Sequence, residues 1–204
     1  MLRPALSERS AEQQTWRGEP LGLTRTTVRE DLVAPRGRPR NVLLRRVLIG
    51  AAAGYAAGRA MDLATSWFYA RQSEAAKERE EAVYPGGAIL DAGRQVAAMI
   101  KIENPGEDQI QQLGVRAHRA VGMTYGIVAA TLVGFGVRPM KAGMLTGVAA
   151  FVLVDEILNA VQLDPSPMDF PIEAHVRGVL GHATFGIALG TGLTLASPLL
   201  VSRS

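Results

Sequence analysis

The sequence contains no cysteine, which excludes disulfide bridges and thiolate metal ligands. Signatures of common enzyme classes are missing too: there is no Walker-type phosphate loop, no zinc-protease helix motif and no Gly-x-Ser-x-Gly elbow. Gly134-Phe135-Gly136 and Gly190-Thr191-Gly192 sit inside apolar helical patterns rather than after a strand, so no nucleotide loop is expected there. None of the three histidines stands three or four residues from a carboxylate, the spacing a helix-borne metal pair needs. No cofactor, metal or catalytic residue is therefore expected, and the chain reads as non-enzymatic. The first long apolar run begins near Val47, too deep for a cleavable signal peptide.

What is present is unevenly spread. Hydrophobic residues make up 48% of the chain and mean hydropathy is +0.11, but the apolar residues concentrate after Val47 and the arginines before it. Residues 1–46 carry ten arginines against five acids, Glu8, Glu12, Glu19, Glu30 and Asp31. Gly18, Pro20, Pro35, Gly37 and Pro39 interrupt them, and no apolar periodicity runs through. This stretch reads as a disordered basic tail on the cytoplasmic side, near anionic lipid. Its single aromatic, Trp16, and the lack of any recognisable module argue against nucleic acid as a partner.

Residues 47–204 are organised around one pattern used twice. Gly143 to Asn159, GMLTGVAAFVLVDEILN, places Gly143, Gly147, Ala149, Ala150 and Asp155 at the spacing of Gly50, Gly54, Ala56, Ala57 and Asp62. Each copy is a small-residue face followed by an acid. Such faces let helix backbones approach closely in lipid, where helices gain no hydrophobic drive towards each other. The partner helices also resemble one another, Met123-Thr124-Tyr125-Gly126 against Ala183-Thr184-Phe185-Gly186.

The expected fold is thus an all-α membrane protein of four transmembrane helices, in two tandem hairpins that form a parallel internal repeat. The spans fall at about 47–69, 117–137, 142–163 and 175–201, each near the ~20 residues a bilayer crossing needs. Between the first two lies an extracytoplasmic helical insertion, 70–116, with an amphipathic helix over Ala88–Ile102. Asp164–Pro171 is a proline-rich loop. Gly50, Gly54, Gly58, Gly143 and Gly147 are the expected packing positions, within the chain or across a homodimer. Lysine and arginine crowd the tail and the Arg138–Lys141 turn, which puts both termini in the cytoplasm.

Ionisable groups inside spans are costly and mark function by default. Here they are Arg59, Asp62, His118, Arg119, Asp155, Glu156 and His182. Helical rise sets Asp155 roughly 12 Å and His182 roughly 10 Å below the outer ends of their spans, so the polar groups share one level. Asp155 and Glu156 point about 100° apart, and the repeat singles out Asp155. Two readings fit: a structural layer of neutralised charges, or a proton-responsive site in which carboxylates and histidines titrate. A small transporter or channel using Asp62, Asp155 and His182 is a further alternative. So is an accessory subunit whose insertion or tail docks a partner.

The glycine-rich first span, the extracytoplasmic insertion, and Pro165, Pro167, Asp169 and Pro171 before Gly181-His182 together resemble the YagU-like family of bacterial inner-membrane proteins. The similarity covers about residues 47–200 and is best over Leu163–Gly186. Where that family carries a proline-rich acid motif after its first span, this chain has Tyr84-Pro85-Gly86-Gly87. The resemblance implies a multi-pass membrane protein linked to acid or envelope stress.

Overall fold

A computed structural model describes residues 39–153 and 166–200. The basic tail to residue 38, and with it most of the tail expectation, lies outside the described residues, as do Asp155 and Glu156. Every regular element described is helical.

Helix α1 spans Pro39–Tyr69 and starts well before the expected Val47. Proline is tolerated in a first turn, where its missing N–H has no intrahelical partner. Arg46 is part of this helix. Its Nε donates to the Leu200 carbonyl at 3.4 Å, and its guanidinium occupies the space where a side chain at Gly134 would lie. A cation is favoured beside carbonyl groups left over at helix C-termini. At the far end Arg71 donates to the Trp67 carbonyl at 3.0 Å and stacks 4.1 Å over the Trp67 ring.

Ser73 then caps α2, Glu74–Val83, by accepting from Ala76 N. The turn into α3, Gly87–Met99, places Gly86 and Gly87 at φ 78° and 65°, a conformation glycine adopts without strain. Helix α4 runs Glu107–Gly134 and also begins early. Glu107 and Asp108 fill its first turn and favour the positive end of the helix dipole. The first ten residues of α4 therefore belong to the stretch read as insertion. There they pair with α3, Gly93 against the Ile110 carbonyl and Gly114 against the Ile89 carbonyl. Helix α5, Pro139–Ala150, carries proline at its start and continues as a π-turn to Leu153. After a 3₁₀ turn, Pro167–Asp169, come α6, Ile172–Leu195, and the short α7, Ser197–Leu200.

α1, α4, α5 and α6 form an up-down-up-down bundle in which α1 packs on α4 and α6, and α5 on α6 and α4. The crossings are made by backbone. A Cβ on Gly50 would fall 2.7 Å from the Gly126 carbonyl oxygen, and one on Gly54 would strike the Gly122 carbonyl and Gly126 Cα. In the other pair, Gly143 meets Gly190 and Gly186, and a Cβ on Gly147 would fall 2.7 Å from the His182 carbonyl oxygen. Gly50 and Gly143 thus occupy equivalent places in two alike helix pairs, as do Gly54 and Gly147. These glycine faces are used within the chain. Gly58 differs, having no neighbouring atom within 4 Å of where its Cβ would be.

Alanines share the centre with Val133, Phe185, Leu189, Leu193 and Leu200, while many other large apolar residues face outward. Ala57, Ala129, Ala130, Ala142 and Ala150 are buried among a few larger side chains, whereas Leu44, Leu48, Leu63, Leu145, Val148, Val179 and Ile187 are all more than half exposed. Among the described residues one helix, Ile172–Leu195, is long and apolar enough to cross a membrane, with mean hydropathy 1.3. The sequence expectation of four such spans is met to that extent and no further. α1 and α4 are long enough, but their glycines and their Arg59, Asp62, His118 and Arg119 keep hydropathy below that of α6. The apolar helix containing α5 is described only over Pro139–Leu153.

Because α1 and α4 touch through backbone at Gly54, Gly54→Ala should cost about 1–3 kcal/mol, as overpacking does. Gly58→Ala should instead gain about 0.5 kcal/mol, since helical glycine is entropically costly and the added methyl meets nothing. Thermal unfolding of the two variants in detergent checks the difference in sign.

Candidate functional site

One end of the bundle opens into a cavity of about 500 Å³. Its walls come from α1 (Gly58, Met61, Asp62, Thr65), α4 (His118, Val121, Tyr125), α6 (His175, Arg177, Gly178, His182, Phe185) and Phe151 at the end of α5. Glu80, Tyr84 and the Gly86-Gly87 turn close it from α2 and α3, with Phe170 beside them. All three histidines of the chain therefore line a single cavity.

Asp62 is the focus of the charge. Its Oδ2 lies 3.3 Å from Arg59 Nη1, one turn back on α1, and its Oδ1 lies 3.3 Å from His118 Nε2 on α4. Asp62 and His118 retain 34% and 36% of their side-chain exposure, so water reaches the contact. Arg59 is 49% exposed, and a pair so wet stabilises by about 1 kcal/mol at most. Arg119, expected at the same cluster, does not line the cavity and turns instead to Tyr55. There it donates to the Tyr55 hydroxyl at 3.4 Å and lies 5.7 Å from the ring centre. On the far wall His182 meets the edge of Phe151, centroids 5.8 Å apart. Among the expected site residues, the structure thus brings Asp62, His118 and His182 to one cavity, sets Arg59 behind it, and separates Arg119.

The rim holds the groups that sequence reading missed. Arg177 binds the Glu80 carboxylate through both terminal nitrogens, Nη1 to Oε2 at 2.8 Å and Nη2 to Oε1. Nη1 also donates to Gln72 Oε1 at 3.1 Å, and the guanidinium lies 5.1 Å from the centre of the Tyr69 ring. With 20% and 18% of their side chains exposed, this is a bidentate, largely desolvated pair, the geometry in which ionic hydrogen bonds are strongest. It ties α2 to α6 across the cavity mouth. No sequence signal gives Arg177 a role, and its partner stands 97 residues away, beyond any local spacing rule. His175 was legible: it precedes His182 by seven residues, two helical turns along the same face.

Tyr84 completes the rim, edge-on to Phe170 with centroids 6.1 Å apart. Burial pushes its hydroxyl up to about 12, with the nearby Asp91 carboxylate, to which it hydrogen-bonds, adding to the effect. Among the described residues no group of three or more His, Asp or Glu could hold a metal ion. No protein-family model, curated protein or solved structure matches the chain.

A tyrosine whose folded pKa lies above its unfolded value gives stability that is full below the unfolded pKa and is lost as pH climbs through the folded one. For Tyr84 that window runs from the ordinary 10.0 to about 12. Ultraviolet titration should show one late-ionising tyrosine that disappears in Tyr84→Phe, and that variant should lose less stability across the window than wild type.

Proposed function

We propose that the chain is a multi-pass helical protein of the bacterial inner membrane, with both termini cytoplasmic, and that its cavity responds to protons rather than catalysing a reaction. The observation that carries the functional reading is the gathering of every histidine in the chain around one carboxylate-bearing cavity. Histidine is the side chain whose charge ordinarily changes between about pH 5 and 8. Protonation of His118 turns its contact with Asp62 into an ion pair, while charge on His175 and His182 opposes Arg177 across the same space. The polar contact that joins α1 to α4 at that end changes with it.

The membrane reading is supported by the many large apolar side chains left on the outside, with glycine backbone making the α1–α4 and α5–α6 crossings, as suits a helix bundle solvated by lipid. The duplicated hairpin is supported by the matching glycine contacts of the two helix pairs. The resemblance to YagU-like proteins points the same way, towards acid or envelope stress. Loss of protein on changing the cluster would instead favour a structural layer.

The test uses wild type, Asp62→Asn and a variant with His118, His175 and His182 all changed to Gln, which leaves no histidine in the chain. Wild type should show a change in thermal midpoint between about pH 5 and 8 that the triple variant lacks and Asp62→Asn reduces. A pH-independent wild type, or an unchanged response in the triple variant, contradicts the reading. Failure of the variants to accumulate at any pH assigns the cluster to holding the bundle together.

A further inference from the structure

We infer that α2 is a hinged cover over the cavity, and that the Arg177–Glu80 bond is the latch that holds it shut. This goes beyond the proton-responsive reading and stands whether or not the histidines titrate.

The elements around the mouth differ in how they are held. α1 packs along both α4 and α6. α3 is fixed to α4 through backbone, with Gly93 against the Ile110 carbonyl and Gly114 against the Ile89 carbonyl. α2 packs extensively on no other helix. Its sequence, EAAKEREEAV, is mostly charged, and Ala76 is its one buried residue. A helix that buries so little apolar surface belongs to the least stable part of a fold.

Side chains do the holding instead. Glu80 takes both terminal nitrogens of Arg177, and Lys77 lies 5.5 Å from the centre of the Tyr69 ring. The first of these is the strong tie, since it is ionic, bidentate and largely out of water. Arg177 is braced apart from Glu80, by its 3.1 Å bond to Gln72 and by the Tyr69 ring at 5.1 Å. It therefore keeps its seat when Glu80 leaves, and the latch can close again on the same guanidinium.

Both ends of α2 can turn. The chain enters it through the short turn at 70–73 and leaves it through Gly86 and Gly87, at φ 78° and 65°. Nothing lies within 4 Å of where a side chain on Gly87 would be. Glycine tolerates a wide range of backbone angles, and hinges are a few such positions at the ends of elements. Tyr84, hydrogen-bonded to Asp91 on α3, marks the pivot. Rotation about it lifts Glu80 from the mouth it lines, while α3 stays on α4.

With no native cysteine, Gly58→Cys places one thiol on the cavity wall, where an added side chain meets nothing within 4 Å. Purified full-length protein in nanodiscs is treated with a bulky maleimide at constant pH, with the exposed position Glu103→Cys as reference. Glu80→Gln keeps the shape of the side chain and removes its charge. It should speed labelling of Gly58→Cys about tenfold, by enlarging the open population, and leave Glu103→Cys unchanged. Hydrogen exchange should show α2 exchanging ahead of α3, and faster still in Glu80→Gln, with α1 and α4 unaffected. Arg177→Lys, which keeps the charge but loses the fork, should give a smaller rise, and it carries the comparison should Glu80→Gln not accumulate. The proposal is overturned if Gly58→Cys with Glu80 intact labels as fast as Glu103→Cys, or if neither latch variant alters its rate. Faster exchange throughout α1 and α4 would overturn it too, because the bond would then hold the bundle rather than a cover. A pH-independent thermal midpoint would sink the proton reading and leave this result untouched.

Discussion

Contact between helix backbones, made where glycine removes the side chain, is the constraint on which the structure depends. Gly50 and Gly54 let α1 lie against α4, and Gly143 and Gly147 let α5 lie against α6. Helices so close gain dispersion and weak Cα–H···O contacts along their length without large apolar side chains between them. Many such side chains are left to face outward, and the bundle acquires an apolar coat around a core of alanines with Phe185, Leu189, Leu193 and Leu200. A lipid surrounding meets that coat without penalty, whereas water would not.

The same device makes the cavity. The crossings lie near the middle of the helices, and the cavity beside them is lined by Gly58 and by the groups one and two turns beyond it. Asp62 and His118 join α1 to α4 there, and Arg177 and Glu80 draw α2 across the opening. The polar insertion is thereby the cover of the site as well as a link between α1 and α4. Its two glycines with positive φ, Gly86 and Gly87, give the sharp turn that brings Tyr84 to the rim.

Much of this was legible in the sequence because it depends on short-range spacing. The repeated glycines announced the crossings, and the three-residue step from Arg59 to Asp62 announced their pair. Gly58 was misread for a geometric reason. Each four-residue step on a helix advances about 40° around the axis, so Gly58 has turned away from the face of Gly50 and opens on the cavity. The starts of α1 and α4 were missed because arginines and polar residues signal a loop on composition yet propagate a helix well. Arg119 was placed by depth alone, which fixes level but not direction. The Arg177–Glu80 bond joins distant parts of the chain, and no periodicity encodes it.

We propose that the bundle crosses the membrane with its cavity on the outer side. The absence of native cysteine allows a direct test with Glu103→Cys, just before α4, and Phe135→Cys, in the exposed turn after it. They are separated by a helix about 40 Å long. In intact cells a membrane-impermeant maleimide should label Glu103→Cys, and should reach Phe135→Cys only after the membrane is opened. Equal labelling of both sites in intact cells, or protection of both, would contradict the account.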